Sequence, residues 1–204
     1  MKFLAHILVI VSYLLHSNVC SAQLLDQETL NKTRVYRNLV TALQYPDSVY
    51  RLDLSKQKLR VFPDEIFQFK NLNELVLDKN RIQVLPENIS SLQFLQILSS
   101  QHNELYTLPK GIFHLSNLRK LDVADNEITT IPDHFDELQQ LEILSLWDNP
   151  IESYPESMSE LGKLKYLDLL HNQINFETQD RLRSMLPGVK IIMSPPCNCQ
   201  DGEE

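Results

Sequence analysis

The chain repeats itself with a period of 23 residues. Five consecutive stretches of that length begin at positions 49, 72, 95, 118 and 141 and align without a gap, and a sixth begins at position 164 and loses register after about half its length. We number these repeats 1 to 6. Self-similarity at such a period is typical of solenoids and repeat arrays. The period therefore constrains the fold more strongly than any other feature of this sequence.

Apolar residues occupy positions 1, 4, 6, 11, 14, 18 and 21 of each repeat, and position 15 of the five full repeats is proline. Ser100, at position 6 of repeat 3, is the only polar residue at a core position of those repeats. Positions 3 to 7 alternate between the two faces of a strand, whereas proline suits the start of a short helical or extended segment. No repeat can bury its apolar face alone, so stacked neighbours must share one continuous core.

Position 9 carries a short amide side chain in every repeat after the first. Asparagine suits turns because its amide group can satisfy backbone groups where the chain leaves a strand. Stacking predicts a ladder of these side chains inside the coil, and Gln57 at the same position of repeat 1 predicts an atypical first turn. The members of the predicted ladder are Asn80, Asn103, Asn126, Asn149 and Asn172.

The pattern LxxLxLxxNxLxxLPxxIxxLxx resembles the leucine-rich repeats of plant disease-resistance-like and Ras-scaffold-like proteins. The resemblance covers residues 49 to about 176, most of the chain. It implies an α/β solenoid, a leucine-rich-repeat horseshoe with a parallel β-sheet on its concave face. It also implies that the concave face binds proteins. It identifies no particular partner, because function resides in a site and not in a fold.

The segments that flank the repeats predict caps. Residues 23–48 form a predicted helical N-terminal cap, with one amphipathic helix within residues 25–44, and residues 177–204 form a predicted C-terminal cap and polar tail. In that second cap we expect a helix over residues 177–186 and a strand over residues 189–193. The residues predicted to share one face of the N-terminal helix are Leu30, Val35, Leu39, Val40 and Leu43.

Residues 1–22 are typical of a secretory signal peptide with cleavage after Ala22. Lys2 precedes an apolar run that extends to about residue 15, and a short polar stretch follows it. A membrane anchor is the first alternative, but a span needs about 20 apolar residues, and the mature chain contains no such segment. Lipid modification of Cys20 is the second alternative, and the bulky Val19 before it argues against this. We therefore expect a secreted or periplasmic protein.

Charge narrows the class of partner. Removal of residues 1–22 takes away one basic residue and no acid, which leaves 18 basic and 27 acidic side chains and a formal charge of −9. Nucleic acids and anionic membranes select basic surfaces, so we expect neither as a partner. A protein or peptide is expected instead, and a basic one would complement the charge.

The sequence does not predict an enzyme, a cofactor or a metal site. It contains no glycine-rich phosphate loop, no nucleophile elbow and no HExxH helix. His102 and His171 lie three repeats apart, about 14 Å at the spacing of neighbouring strands, which is too far to share a metal. Asp122 and Asp168 are separated by about 10 Å, and we interpret them as part of a solvated face.

The two cysteines of the mature chain lie close to its C-terminus. Cys197 and Cys199 could form half of a metal site, but a structural zinc ion needs four ligands, and no second cluster with ligand spacing exists. A ring closed between residues two apart is strained. We expect tail thiols that pair locally or between chains.

The outward strand positions 3, 5 and 7 predict where a partner binds. Ile143, Trp147, Tyr166 and Leu170 of the last repeats would lie side by side, and we call these four residues the apolar patch. Exposed patches of this kind mark interaction sites, and Trp and Tyr are frequent binding hot spots. The alternative is that the C-terminal tail, including Met193, folds over the patch. The other residues predicted to contact the partner are Ile97, Lys120 and Asp122.

Two functions follow from these observations. The first is a non-enzymatic binding module that engages a protein or peptide on the concave face. The second is a structural or adhesion element that binds a cell-surface polymer or associates with its own copies. Affinity for a soluble basic protein would favour the first, and binding to isolated cell wall or glycan would favour the second.

Overall fold

A computed structural model describes residues 23–196 of the chain. The predicted signal peptide, Cys20, Cys197 and Cys199 lie outside these residues. Eight parallel strands form one open sheet in the order of the chain, so the predicted α/β solenoid with a parallel concave sheet is confirmed. The strands are β1 Val35–Tyr36, β2 Arg51–Asp53, β3 Glu74–Val76, β4 Ile97–Ser99, β5 Lys120–Asp122, β6 Ile143–Ser145, β7 Tyr166–Leu169 and β8 Lys190–Met193.

The strands of the repeats pair with a constant offset of one period. Leu52 faces Leu75, which faces Leu98, and the same register continues to Leu167. Because side chains alternate along a strand, equivalent leucines form one buried row behind the sheet. The sheet register is therefore a direct consequence of the sequence period.

Short 3-10 helices form the opposite, convex side. They span Asp64–Gln68, Glu87–Ser91, Lys110–Ile112, Phe135–Glu137 and Glu156–Glu160. Proline directly precedes four of them, whereas His134 precedes the helix of repeat 4. Each helix directs one apolar side chain, at position 18, into the core. The convex side thereby covers the core on the side opposite the strands.

The predicted asparagine ladder is confirmed and connects neighbouring repeats. In a representative step, Asn126 Nδ2 donates to the carbonyl oxygens of Ser100 and Val123, both at 2.9 Å, and Asn126 Oδ1 accepts from Leu105 N at 3.0 Å. Such bonds satisfy backbone groups that would otherwise be buried without partners. In repeat 1 the Gln57 side chain is exposed and donates to the Arg37 carbonyl oxygen of the cap at 2.9 Å.

The N-terminal cap differs from the predicted single helix. It contains two short helices, α1 Gln27–Lys32 and α2 Leu39–Ala42, separated by β1. Leu30 is fully buried, but Val40 is 69% exposed, so the predicted apolar face is wrong. Val35 and Tyr36 extend the sheet because strand pairing satisfies the open edge of β2, which a helix could not do. Their β-branched and aromatic side chains also favour strands.

A short extended segment before α1 lies along the rim where the strands begin. Gln23 N donates to Asn71 Oδ1 at 3.0 Å and Leu25 N donates to Asn73 Oδ1 at 3.0 Å. The Leu25 carbonyl oxygen accepts from Gln96 Nε2 at 2.6 Å. Amide side chains of repeats 1 to 3 thus hold the main chain of this segment in place.

The predicted C-terminal helix and strand are both present. Helix α3 spans Phe176–Met185, and the Asn175 side chain caps it by accepting from Thr178 N at 2.9 Å. Leu182 of α3 is fully buried. Strand β8 then pairs with β7 and completes the sheet, so the last repeat does not expose its apolar side.

Candidate functional site

The structure brings four of the predicted contact residues into one row across the concave face. Ile97 pairs with Lys120, Lys120 with Ile143, and Ile143 with Tyr166. All four side chains are at least partly exposed, and Ile143 is 37% exposed. Lys190 of β8 extends the row, with its Nζ 5.7 Å from the centre of the Tyr166 ring. The row therefore combines two apolar side chains and one aromatic side chain with the basic side chains of Lys120 and Lys190.

Trp147 lies between two imidazole rings from different repeats. The centre of its ring system is 6.4 Å from that of His102 and 5.6 Å from that of His171. Both histidines adopt positive φ angles, 54° and 59°, in the turn after their strands. The sequence placed these histidines at the rim but did not connect them with Trp147. The sequence signal for this contact was that the histidines occupy position 8 of their repeats, directly after position 7, which Trp147 occupies in its own repeat. The geometry of the turn then decides where the imidazole rings lie.

Met193 does not cover the apolar patch. It pairs with Leu169 at the end of the sheet and packs against the core. The next residue is held at the same edge, because Ser194 Oγ accepts from His171 N at 2.8 Å and its carbonyl oxygen accepts from Gln179 Nε2 at 3.0 Å. The alternative that the tail covers the patch now concerns only the residues from 197 onward, which lie outside the described part of the chain.

Asp122 is not the solvated acid that the sequence indicated, since only 6% of the residue is exposed. Its Oδ2 accepts from Gln101 Nε2 at 2.9 Å and lies 3.1 Å from Lys120 Nζ. Its Oδ1 is buried without a hydrogen-bond partner among the described residues. A buried carboxylate oxygen without a donor is costly.

A second carboxylate lies beside it. Asp78 Oδ1 accepts from Ser99 Oγ at 2.7 Å and from Gln101 N at 3.0 Å. Burial raises the pKa of Asp78, and the nearby charge of Asp122 adds to this effect. The centre of the concave face therefore combines two acids that a cationic group would stabilise.

Asp168 is committed to local structure. Its Oδ1 accepts from Leu170 N at 3.1 Å and its Oδ2 accepts from the Tyr166 hydroxyl at 3.2 Å. Burial raises the pKa of Tyr166, and the neighbouring carboxylate contributes to the shift. These bonds fix the ring of Tyr166 in the row of concave side chains.

Within residues 23–196, no group of three or more His, Cys, Asp or Glu side chains is arranged to hold a metal ion. The helices of the same residues are too short or too polar to cross a membrane.

Comparison with known proteins identifies the repeats. A family profile described as leucine-rich repeat region matches residues 48–189. A leucine-rich-repeat protein of Leptospira interrogans is 33% identical, with a TM-score of 0.65 over 81% of this chain and 49% of that one. This chain thus spans about half the length of the Leptospira protein. No curated protein matches the chain.

Two receptor ectodomains of Arabidopsis thaliana have similar structures. That of the membrane receptor kinase GASSHO1/SCHENGEN3, solved in complex with Casparian strip integrity factor 2, is 29% identical, with a TM-score of 0.55 over 62% of this chain and 16% of that one. That of the receptor kinase SOBIR1 is 27% identical, with a TM-score of 0.53 over 60% of this chain and 70% of that one. Both are leucine-rich-repeat ectodomains.

Proposed function

We propose that this chain, which belongs to the leucine-rich repeat family, is a non-enzymatic protein-binding module exported from the cytoplasm. The observation that carries the proposal is the apolar patch on the concave face. Ile143 and Tyr166 are adjacent in register, and Trp147 lies four residues after Ile143, between two imidazoles. Large aromatic side chains that remain accessible on a rigid sheet are typical hot spots of binding.

Charge supports a basic partner segment. Next to the patch, Asp122 leaves one buried oxygen without a donor and Asp78 carries a raised pKa. A lysine or arginine of the partner at this point would be attracted by both acids. The surrounding chain is acidic, with a formal charge of −8 before any processing, and would attract such a partner over a distance.

The similar ectodomain of GASSHO1/SCHENGEN3 was solved in complex with Casparian strip integrity factor 2, which favours a protein or peptide ligand for this chain as well. The signal-like residues 1–22 favour binding of the partner in the extracellular space or the periplasm.

The test is a comparison of three forms of the protein in affinity capture from the native extracellular or periplasmic fraction. Trp147→Ala should weaken binding of the captured partner by about 2 kcal/mol or more, the scale of a hot spot, and leave the melting temperature nearly unchanged. Phe176→Ala is the matched control, because Phe176 is a large exposed aromatic outside the concave face. Equal affinity of Trp147→Ala and the unmodified protein would remove the patch from the proposal.

Tail cover is distinguished by fluorescence, since Trp147 is the only tryptophan of the chain. If residues 197–204 covered the ring, their deletion would shift its emission to longer wavelength. An emission maximum that deletion leaves unmoved supports an open patch.

A further inference from the structure

Beside the concave face, the loops that follow the strands form a second surface. We call it the lateral ridge and define it by positions 8, 10 and 12 of repeats 1 to 5. At these positions the side chains are exposed or partly exposed. The ridge consists of Lys56, Lys58 and Arg60, then Lys79, Arg81 and Gln83, then His102, Glu104 and Tyr106, then Asp125, Glu127 and Thr129, and finally Asp148, Pro150 and Glu152.

Charge is segregated along this ridge. Repeats 1 and 2 contribute five cations and no acid, and repeats 4 and 5 contribute four acids and no cation. None of the five cations forms a salt bridge with another described residue. On the acidic half, the salt bridge among the described residues joins Asp125 to His102, at 3.5 Å. A chain of strongly negative net charge thus keeps, on one half of a narrow surface, a cluster of cations that form no salt bridge within residues 23–196.

The two halves are complementary when one copy of the ridge is reversed against another. A two-fold axis that crosses the ridge at repeat 3 places repeat 1 opposite repeat 5 and repeat 2 opposite repeat 4. Equal positions then face each other, and four cations meet four acids, each pair occurring twice. The facing pairs are Lys56 with Asp148, Lys79 with Asp125, Arg81 with Glu127, and Arg60 with Glu152.

From this match we propose that the lateral ridge binds a second copy of the chain in an antiparallel, two-fold symmetric dimer. Such an isologous contact needs a self-complementary surface, and the charge pattern supplies one. His102, Glu104 and Tyr106 lie at the axis, where each meets its own copy, and Tyr106 is 52% exposed. Val61, 77% exposed, and the exposed Val84 occupy the adjacent position 13 and add apolar area beside the ion pairs.

The expected dimer is weak and depends on salt. Five strands at about 4.8 Å and six residues at about 3.3 Å give a contact about 20 Å on each side, or about 400 Å² per partner. Stable interfaces bury about 800 Å² per partner, so the ion pairs must supply much of the affinity. Surface charges are strongly screened at high salt. The concave faces remain open in this arrangement, and His102 is the ridge residue that also lies beside Trp147 of the proposed binding site.

The first experiment is sedimentation equilibrium of the purified, exported protein at 20 mM and 500 mM NaCl. We expect a dimer at low salt whose dissociation constant rises at least about tenfold at high salt, the loss that screening of several ion pairs predicts. A monomer at both salt concentrations up to millimolar protein would overturn the proposal, and so would a dimer that salt does not weaken.

Charge reversal tests the register. Arg60→Glu with Arg81→Glu gives the ridge a net negative charge, and Glu127→Arg with Glu152→Arg gives it a net positive charge. In each double variant two of the four facing pairs become like-charged, so each alone should be monomeric at 20 mM NaCl. A mixture of the two should form a heterodimer, because opposite ridges now meet. Lys70→Glu with Lys110→Glu changes the net charge equally at exposed positions outside the ridge and should dimerise like the unmodified protein.

The mixture also separates self-association from a general affinity for anions. If the ridge served an anionic polymer, the acidic variant would lose binding to heparin, but the two variants would not associate with each other. That result, with circular dichroism showing folded variants, would replace the dimer by an anion-binding surface.

Discussion

Ser100 occupies a core position at which the other full repeats carry leucine or valine, and it is fully buried. Its hydroxyl oxygen accepts from Asn103 Nδ2 at 3.2 Å, whereas equivalent asparagines of neighbouring repeats donate to a main-chain carbonyl at this point. The ladder thus adapts to the hydroxyl, which satisfies the buried group. The volume of a leucine side chain is still missing at this level of the core.

Replacement of Ser100 by leucine should raise the free energy of unfolding by about 1 kcal/mol, because added apolar contacts outweigh one hydrogen bond. Asn103 keeps its bonds to the Leu77 and Gln101 carbonyl oxygens. The measurement is urea denaturation, with Ser100→Ala as the control that removes the hydroxyl without adding volume. A lower stability of Ser100→Leu than of Ser100→Ala would show that Leu77 and Val123 already fill the space.

Asp78 gives a prediction about pH. Burial raises its pKa in the folded protein above the ordinary 3.8, so the folded state holds the proton more tightly than the unfolded chain does. Its contribution to stability is therefore complete below the unfolded pKa and is lost as pH rises through the folded pKa. Asp78→Asn keeps the oxygen that accepts from Ser99 and should increase stability at pH 7.

The advantage of Asp78→Asn should shrink as the pH falls through the folded pKa of Asp78 and should be lost below the ordinary value of 3.8, as followed by thermal melting between pH 3 and 7. Asp64→Asn, at an exposed position on the convex side, controls for the loss of one charge. An advantage that stays constant with pH would mean that the amide acts through packing and not through the proton.

At the scale of elements, the two caps differ in how well the sequence predicted their secondary structure. The C-terminal helix and strand arise within one continuous stretch whose periodicity changes from 3.6 to 2, and α3 and β8 follow it closely. The N-terminal cap is decided by the open edge of β2, which recruits Val35 and Tyr36 as a strand. The hydrophobic pattern within residues 25–44 carries no information about the unpaired edge of β2, which lies outside that segment.

Leu30 and Val40 separate the observed cap from the predicted single helix, which placed both on one buried face. Leu30→Ala should lower the free energy of unfolding by about 2–5 kcal/mol, because it opens a cavity beneath α1. Val40→Ala should change it by no more than about 0.5 kcal/mol, as an exposed surface substitution does. Chemical denaturation of both variants measures the difference, and equal losses would favour one continuous helix.

At the scale of the whole molecule, the contacts of the extended segment before α1 are relevant to the predicted cleavage after Ala22. The main chain of Gln23 is held on both sides, since its N–H donates to Asn71 and its carbonyl oxygen accepts from Asn73 Nδ2 at 3.1 Å. A chain cut after Ala22 would keep these bonds and begin at the rim of the sheet.

Mass analysis of the native protein should accordingly show a chain that begins at Gln23, with or without cyclisation of its side chain. Cleavage after Ala22 is what the signal-like segment predicts. The control is the same protein produced without residues 1–22 in the cytosol, which should fold to the same circular dichroism spectrum. An intact Met1 on native protein found in the cytosol would contradict export.

The sequence by itself determined the solenoid, its register and the buried rows of leucine and asparagine. The reason is that each repeat must bury the same apolar positions against its neighbours, and a period of 23 residues allows all repeats to do so with one backbone conformation. It also placed Ile143 next to Tyr166 and Ile97 next to Lys120, since neighbours across a parallel sheet follow from the period.

Only the tertiary structure decided what the period does not encode. Outward alternation suggested a solvated Asp122, yet neighbouring side chains bury it and leave one oxygen without a partner. The contact of His102 and His171 with Trp147 joins different repeats through turn geometry. Burial and side-chain contacts depend on residues far apart in the chain. A repeat pattern specifies which backbone segments are neighbours, but it does not specify how the large side chains of those segments pack against each other.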